Sequence, residues 1–406
     1  MTRTLAVSFL VYCLVPGPAH AAKGFEFANG DRVVLLGNTL IEREQRYGYW
    51  ETLLTSRYPD RNIQFRNLGW SGDTVFGEAW AEFDTPEVGF RRRKEHVLAL
   101  KPTVIMLGYG LNESFEGEAG LPRFLKGLDQ LLESLAPAKA RIILLSPPRH
   151  EDLGRPLPDP TEHNKNLRLY TRALRQVAAK RAYAFVDLYD TMTPAAGHKP
   201  RVLTDDGIHL TAYGYWKSAF TLEYQLGISP AGWAVEVNAH GRVKSGSPKV
   251  SKIETAALSF QVTDQVLPVP PAPGRSPRGA AQTAWPRELR VRGLAKGRYT
   301  LRIDGKPIRT ESAEQWAIGV ELKQGPEFGQ AEKLRQAIIL KNRLYFHRWR
   351  PANDTYLFGF RKQEQGQNAK EIPQFDPLVA KQESFIARLR LPAGHKYELV
   401  KKESAE

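Results

Sequence analysis

The chain has 406 residues, of which 42% are hydrophobic and 25% charged, with a formal net charge of +14 at pH 7. These values are typical of a soluble globular protein that is long enough for two domains. The only cysteine, Cys13, lies in a segment that we expect to be removed, which excludes disulfides, thiolate catalysis and cysteine-bound zinc from the mature chain. The positive charges are spread widely, with the densest run at residues 91–94. This favours a solvated basic surface over a nucleic-acid-binding face, and a water-facing helix at that run.

Residues 1–21 have the organisation of a secretory signal peptide. Arg3 supplies a positive charge, residues 5–15 form an apolar stretch, and Ala19 and Ala21 flank a small-x-small cleavage site. The apolar stretch is shorter than the roughly 20 residues that a membrane-spanning helix needs, and no later segment approaches that length. We therefore predict a secreted or periplasmic protein without a membrane span.

Between about residues 31 and 226, short apolar runs alternate with helix-like stretches. The strand candidates, rich in β-branched residues, are residues 32–36, 63–68, 103–107, 141–145 and 183–188. The helix candidates are residues 49–57, 86–100, 121–135, 163–180 and 210–226, with Pro86 and Pro122 in first turns. This alternation predicts an α/β fold, a flavodoxin-like three-layer α/β/α sandwich with a parallel five-stranded sheet. Ligands of such folds bind beyond the carboxyl ends of the strands.

The composition changes after about residue 228. Residues 229–250 and 267–279 are rich in glycine, proline or serine, and we interpret both as linker or loop. Strand-like segments at 257–262, 288–291, 299–303 and 306–310, and a helix at 330–341, indicate a β-rich unit. The aromatic and basic run at 345–350 is interpreted as a core strand, with stacking on sugar rings as the alternative. We therefore predict a first domain at 22–229 and a β-rich accessory domain at 230–406.

Polar motifs follow four of the predicted strands. Residues 37–39 end the first strand, 67–74 follow the second, 108–113 follow the third, and Asp206 and His209 follow the fifth. All four motifs converge on one rim of the sheet, where they supply a hydroxyl, a glycine N–H, a side-chain amide and an Asp–His pair. These are the parts of an acyl-transfer site. The carboxylate can hold the imidazole in one tautomer and stabilise the imidazolium that forms.

The order of these motifs resembles the SGNH (GDSL-like) hydrolase superfamily, whose blocks are Gly-Asp-Ser, a glycine, Gly-x-Asn-Asp and Asp-x-x-His. The resemblance covers about residues 30–220, roughly half of the chain. It implies that Thr39 is the nucleophile, that His209 is the general base and that Asp206 is its partner.

The resemblance also implies an oxyanion hole. Its donors would be the backbone N–H groups of Thr39 and Gly72 and the side chain of Asn112. Gly110 would let the backbone turn before Asn112.

Three positions depart from the family pattern. Thr39 replaces the serine, and its γ-methyl group restricts χ1 and crowds the direction of attack. Asn38 replaces an aspartate and brings no charge, and Glu113 replaces an aspartate that is one methylene shorter, so its hydrogen bond must be re-aimed. The alternative for Thr39 is a capping role at a helix or turn. Ser71 lacks the spacing of a nucleophile elbow and is interpreted as a turn residue.

Other basic side chains near the predicted rim have no assigned role. His96, His150 and His163 lack metal-ligand spacing with carboxylates and are interpreted as surface or loop groups. Arg43 and Arg149 are equally consistent with the pocket and with the surface. We therefore predict a site without a metal or cofactor.

The sequence thus predicts an exported ester hydrolase that acts on O-acetyl or other short acyl esters of carbohydrates. One alternative is a catalytically weakened protein that binds a glycan or a partner protein. A second alternative is a lipid esterase or lysophospholipase.

Overall fold

The structure is a computed structural model that describes residues 24–192, 201–228, 232–274, 286–364 and 368–402. The predicted signal peptide and its cleavage site lie outside these ranges. No helix within them is both long enough and apolar enough to cross a bilayer.

The first half of the chain alternates strands and helices. In chain order these are β1 (Arg32–Gly37), α1 (Thr39–Tyr47), α2 (Tyr49–Arg57), β2 (Gln64–Gly69), α3 (Pro86–Ala99), β3 (Val104–Gly108), α4 (Gly117–Leu135), β4 (Arg141–Leu145), α5 (Thr161–Arg181), β5 (Ala184–Val186), α6 (Leu188–Thr191) and α7 (Ala212–Gln225). The five strands form one parallel sheet in the order β2-β1-β3-β4-β5. The predicted α/β fold with a parallel five-stranded sheet is therefore confirmed.

Both faces of this sheet are buried. Val33, Leu35 and neighbouring residues pack in one core with helices α1, α2 and α7, whereas Val34 and Leu36 face a second core with α4 and α5. Because successive side chains point to opposite faces, strands covered on both sides read as unbroken apolar runs. This explains why the strands could be located from the sequence.

Helix α1 begins directly after β1 and lies across the carboxyl ends of three strands. Gly37, Gly69 and Gly108 end β1, β2 and β3 side by side in register. A Cβ atom on Gly37 would lie 2.4 Å from the carbonyl oxygen of Gly108, and one on Gly69 would lie 2.1 Å from the backbone nitrogen of Glu42. Glycine alone permits this approach, which places the N-terminus of α1 over the rim of the sheet.

The second half contains most of the β structure predicted for it. Its elements are β6 (Trp233–Asn238), β7 (Val243–Ser245), β8 (Lys249–Glu254), β9 (Ser259–Thr263), β10 (Arg287–Arg292), β11 (Arg298–Ile303), β12 (Lys306–Ser312), α8 (Ala313–Ile318), β13 (Val320–Glu321), α9 (Pro326–Trp349), α10 (Asp354–Leu357), α11 (Phe375–Leu389) and β14 (Gly394–Lys401). A mixed sheet has the order β13-β10-β6-β7, and an antiparallel sheet has the order β12-β11-β14-β9-β8. A shared apolar core, centred on Trp316, joins residues of both sheets.

Three interpretations of secondary structure from the sequence were wrong. Residues 232–250 are not a linker, because β6, β7 and the start of β8 lie there and Trp233 and Val235 are buried. Pro122 is not in a first turn, since α4 begins at Gly117. The run at 345–350 is not a strand, because it lies at the end of the 24-residue helix α9.

Helix α9 packs against the hydrolase half rather than within the β-rich sheets. Its buried residues Leu334, Ile338, Lys341 and Tyr345 recur at helical spacing. The ammonium group of Lys341 lies 2.8 Å from a carboxylate oxygen of Glu51 on α2 and donates to the backbone of edge strand β2. The helix therefore covers this edge and carries its last residues to the rim of the sheet.

Candidate active site

Thr39 is the first residue of α1, and Asn38 is the residue that caps the helix. The Asn38 Oδ1 atom accepts a hydrogen bond from the backbone N–H of Leu40 at 3.1 Å. The alternative in which Thr39 is itself the cap is therefore wrong. Thr39 is partly exposed, and its backbone N–H has no acceptor in the part of the chain that is described. An N–H at this end of a helix is suited to stabilise a negative charge.

Asp206 and His209 form a hydrogen-bonded pair on the loop before α7. The Nδ1 atom of His209 lies 2.7 Å from Oδ2 of Asp206, whose Oδ1 accepts from the backbone N–H groups of Ile208 and His209. Burial raises the pKa of Asp206, but the hydrogen bonds from His209 and Ile208 outweigh it and hold that pKa below its usual value. An ionised Asp206 keeps the proton on Nδ1, which leaves Nε2 as the proton acceptor. The imidazole side chain is 28% exposed, so it is not enclosed in apolar packing.

Two contacts hold the His209 loop and α7 against helix α1. The hydroxyl group of Tyr215 donates to the carbonyl oxygen of Leu40 at 2.6 Å, and Arg43 forms an ion pair with Asp205. Leu40 and Arg43 lie within about one helical turn of Thr39. Thr39 Oγ1 and the His209 ring are not hydrogen-bonded to each other among the described contacts. Catalytic hydrogen bonds are often long before substrate binds.

The remaining predicted donors lie on the loops after β2 and β3. Gly72 is exposed in a turn at φ +81°, and its N–H has no acceptor among the described residues. The Nδ2 atom of Asn112 donates one hydrogen to the carbonyl oxygen of Asp73 at 2.8 Å, and the amide has a second hydrogen to offer. Gly110 has φ +103°, a value that favours glycine at this turn before Asn112.

Glu113 joins these two loops. Its carboxylate accepts from the backbone N–H groups of Val75 and Gly110, each at 2.9 Å. Burial raises the pKa of Glu113 to about 7, assisted by the Asp73 charge and opposed by the backbone donors. The Glu113 side chain therefore links the motif after β3 to the loop after β2.

The loop after β2 rests on a buried ionic network that was not predicted from the sequence. Asp73 accepts a hydrogen bond from the Tyr109 hydroxyl at 2.8 Å and pairs with Arg93 at 3.3 Å. Arg93 also donates to the carbonyl oxygens of Thr74 and Val75. The network orients the segment whose Asp73 carbonyl group holds the Asn112 amide.

Arg93 contradicts the prediction that the run at 91–94 faces water. Its side chain has no exposed surface. A signal was present in the sequence, because Gly89, Arg93 and Val97 are the buried residues of α3 and lie four positions apart. This spacing places Arg93 on the apolar stripe of the helix.

His163 lies buried on α5, which contradicts its interpretation as a surface or loop group, whereas His150 lies in the loop after β4, as predicted, and is also buried. Their Nδ1 atoms lie 3.0 Å apart, and Nε2 of His163 is 2.8 Å from the Ser114 hydroxyl. That hydroxyl donates to the carbonyl oxygen of Leu111, so it accepts from His163. Burial, with a smaller effect of His150, lowers the pKa of His163 to about 4. The pair packs against the loop that carries Asp206 and His209, since a Cβ atom on Gly207 would lie 2.7 Å from His150 Nε2.

Arg43 and Arg149, which the sequence could not assign to the pocket or to the surface, both lie beside an acidic side chain. Arg43 pairs with Asp205, as described above. Arg149 lies 3.9 Å from Asp190 and its guanidinium stacks over Tyr189 at 4.6 Å. Neither contact points to a role in binding substrate.

Sequence comparison with known proteins identifies the first half of the chain. A profile of the GDSL-like lipase/acylhydrolase family matches residues 30–217, the segment that carries all four motifs. These residues form a GDSL-like acylhydrolase domain. This match supports a carboxylic ester hydrolase, as the motifs predicted. No curated protein matches the sequence.

Solved structures extend the similarity to the second half. A gut microbial diltiazem-metabolizing enzyme shares the fold with a TM-score of 0.71 and 19% identity, over 93% of this chain and 99% of that chain. The acetylxylan esterase Axe2 from Geobacillus stearothermophilus is 22% identical, with a TM-score of 0.39, over 50% of this chain and 96% of that chain. The hydrolase LAE5 from the metagenome of Lake Arreo, Spain, is 23% identical, with a TM-score of 0.38, over 50% of this chain and 97% of that chain.

Proposed function

We propose that the protein hydrolyses O-acetyl or other short acyl esters of carbohydrates at a site formed by Thr39, His209 and Asp206. The observation that carries this proposal is the Asp206–His209 pair, whose loop is tied to helix α1 close to Thr39. The preference for carbohydrates rests on the predicted export and on the second half of the chain.

The proposed reaction uses Thr39 as the nucleophile, His209 as the base and Asp206 as the partner of His209. Thr39 Oγ1 attacks the ester carbonyl carbon and its proton passes to Nε2 of His209, while Asp206 stabilises the imidazolium. The carbon–oxygen bond of the ester then breaks, and His209 returns the proton to the leaving alcohol. Water attacks the acyl-threonine with His209 again as base, which releases the carboxylic acid and restores the threonine.

Negative charge on the carbonyl oxygen would be stabilised by three donors. These are the backbone N–H groups of Thr39 and Gly72 and the second amide hydrogen of Asn112, which have no acceptors among the described residues. Such preorganised donors stabilise the charge that develops in the transition state.

The proposal is tested by acetate hydrolysis with the wild type and four variants. Thr39→Ala and His209→Ala should each lose at least about 1000-fold in kcat. Thr39→Ser should equal or exceed the wild type, because serine lacks the γ-methyl group that crowds the attack. Ser71→Ala is the matched control, since it removes an exposed hydroxyl from the neighbouring loop and should keep wild-type activity.

Each result has a defined meaning. A wild type no faster than Thr39→Ala would exclude Thr39 as the nucleophile, and if Thr39→Ser were active in that case, the binding-protein alternative would be favoured. Loss of activity in Ser71→Ala would transfer the nucleophile to Ser71. Faster hydrolysis of long-chain than of acetyl esters would favour the lipid esterase alternative.

We also propose that residues 1–21 direct export and are then removed. The support is the charged start, the apolar stretch and the cleavage site described from the sequence. Expression from the full gene should give a protein outside the cytoplasm whose mass corresponds to a start at Ala22. A cytoplasmic protein that retains residues 1–21 would refute export.

A further inference from the structure

A cavity of about 580 Å³ lies where the second half of the chain meets the hydrolase domain. One wall comes from the segment after β2 and from α3, and the other from residues 349–360. Its volume is within the range of small-molecule sites. The predicted acyl-transfer residues are not part of its lining.

Three tryptophans form the inner wall of this cavity. Trp80 and Trp349 are stacked with ring centroids 5.1 Å apart, and Trp70 lies 5.2 Å from Trp80. The indole N–H groups of Trp80 and Trp349 are buried and have no acceptor among the described residues. The guanidinium of Arg350 lies 4.5 Å above the ring of Trp70. The wall therefore combines apolar ring surface with the hydrogen-bond donors of the Arg350 guanidinium.

Acidic groups from both halves complete the lining. The carboxylates are those of Glu82, Asp84, Glu95 and Asp354, against the guanidiniums of Arg92 and Arg350. Burial, and then the nearby Asp354, raises the pKa of Glu82. His96 is neutral at pH 7, because burial lowers its pKa to about 4. The cavity thus offers acceptors as well as donors, and its formal charge is not positive.

The cavity is connected to the predicted oxyanion loop through one carboxylate. Arg350 lies 3.3 Å from both carboxylate oxygens of Glu42, and Glu42 also accepts from the backbone N–H of Ser71. Gly72 is the next residue along the chain. Glu42 lies on α1, roughly 4.5 Å along the helix axis from Thr39. Trp70, two residues before Gly72, lines the cavity, so the cavity borders the predicted oxyanion loop.

We propose that this cavity binds a neutral sugar ring on the alcohol side of the ester while the acyl group lies at Thr39. A pyranose has apolar C–H faces that can pack on indole rings. Its hydroxyl groups both donate and accept, which suits the carboxylates and guanidiniums of the lining. An acidic sugar would be disfavoured, because the lining has four carboxylates against two guanidiniums. This inference rests on the proposed ester hydrolysis and makes Trp349 and Arg350 part of the substrate site.

The inference is tested with three esters that differ only in the alcohol. They are ethyl acetate, which has no ring, phenyl acetate, and methyl 6-O-acetylglucopyranoside, each followed by titration of the released acid. Trp349→Ala should lower kcat/KM for the sugar acetate at least about tenfold, mainly through KM, and leave ethyl acetate within twofold. Trp349→Phe keeps a ring and should lose less than the alanine variant. Phe385→Ala, which removes an exposed ring of α11 outside the cavity, is the matched control and should change neither ester.

Three outcomes would overturn the inference. A loss for phenyl acetate alone would show a site for aromatic alcohols, and an equal loss for all three esters would show that Trp349 only supports the oxyanion loop. An unchanged sugar acetate reaction in Trp349→Ala would show that the cavity does not contact the sugar.

A binding measurement separates this inference from the proposed hydrolysis. Saturation-transfer NMR with unacetylated methyl glucopyranoside should give a signal with the wild type that Trp349→Ala loses and Phe385→Ala keeps. This result would support the sugar site even if no ester were hydrolysed. A signal that is the same in all three proteins would refute the sugar site even if ester hydrolysis were established.

Discussion

Gly69→Ala tests how closely helix α1 must lie against the sheet. The added Cβ atom would be 2.1 Å from the backbone nitrogen of Glu42, where ordinary contacts begin near 3.4 Å. The difference, 3.4 − 2.1, requires α1 and β2 to separate by about 1.3 Å. The obstructing atoms are backbone, so a rotamer change cannot relieve the clash. We expect a stability cost of about 1–3 kcal/mol.

The same displacement should slow the proposed reaction, because α1 carries Thr39 and β2 leads into the loop of Gly72. A reacting group that is misplaced by about 1 Å can cost on the order of 100-fold in rate. The assay is kcat/KM for ethyl acetate together with the midpoint of thermal unfolding. We expect a loss of about 100-fold in a variant that is still folded at 25 °C.

Gly108→Ala is the matched control at the end of β3. Its Cβ atom would meet only the Ile41 side chain, at 3.0 Å, so the overlap is about 0.4 Å and a small side-chain movement relieves it. Activity should stay within about fivefold of the wild type. If Gly69→Ala and Gly108→Ala were equally active, the close approach of α1 to β2 would not position the site.

Three further predictions concern buried polar groups. Burial raises the pKa of Glu113 from 4.5 to about 7. Between pH 4.5 and 7 the folded protein therefore keeps a proton on Glu113 that the unfolded chain has lost. Over that range the free energy of unfolding of the wild type should fall by about 3 kcal/mol relative to that of Glu113→Gln, as urea unfolding would show. Ser114→Ala leaves the buried N–H of His163 without its acceptor and should cost about 1–3 kcal/mol, measured by urea unfolding at pH 7. Lys341→Met leaves Glu51 buried without its cation and should cost about 3–5 kcal/mol, measured by the shift in thermal unfolding.

Each of these predictions has its own control. A stability difference between wild type and Glu113→Gln that is independent of pH would show that Glu113 titrates normally. Ser134→Ala removes a partly buried serine hydroxyl bonded only within α4, and a cost as large as that of Ser114→Ala would contradict the His163 contact. The double variant Lys341→Met, Glu51→Gln should recover most of the stability lost in Lys341→Met, and failure to do so would contradict the ion pair.

The parallel sheet could be predicted because both of its faces are buried. Residues 141–145 are apolar except for Arg141, and they form β4 with the predicted bounds. The four polar motifs could be placed at one rim by strand order alone. The second half was harder to predict, since Trp233–Asn238 is buried only on alternate residues and lies in a segment rich in turn-forming residues. Residues 345–350 have the composition of a strand, but they extend a helix whose buried face is set by contact with the hydrolase half.

The sequence by itself determined the α/β class, the family, and the identity of the candidate groups Thr39, Asp206 and His209, because these depend on local periodicity and on short motifs in a fixed order. Only the tertiary structure decided which distant groups meet. The burial of Arg93 against Asp73, and the position of Trp349 and Arg350 beside Trp70, depend on packing between segments far apart in the chain. No local pattern encodes such contacts, since the free energy that selects them comes from surface and charge removed from water by both partners together.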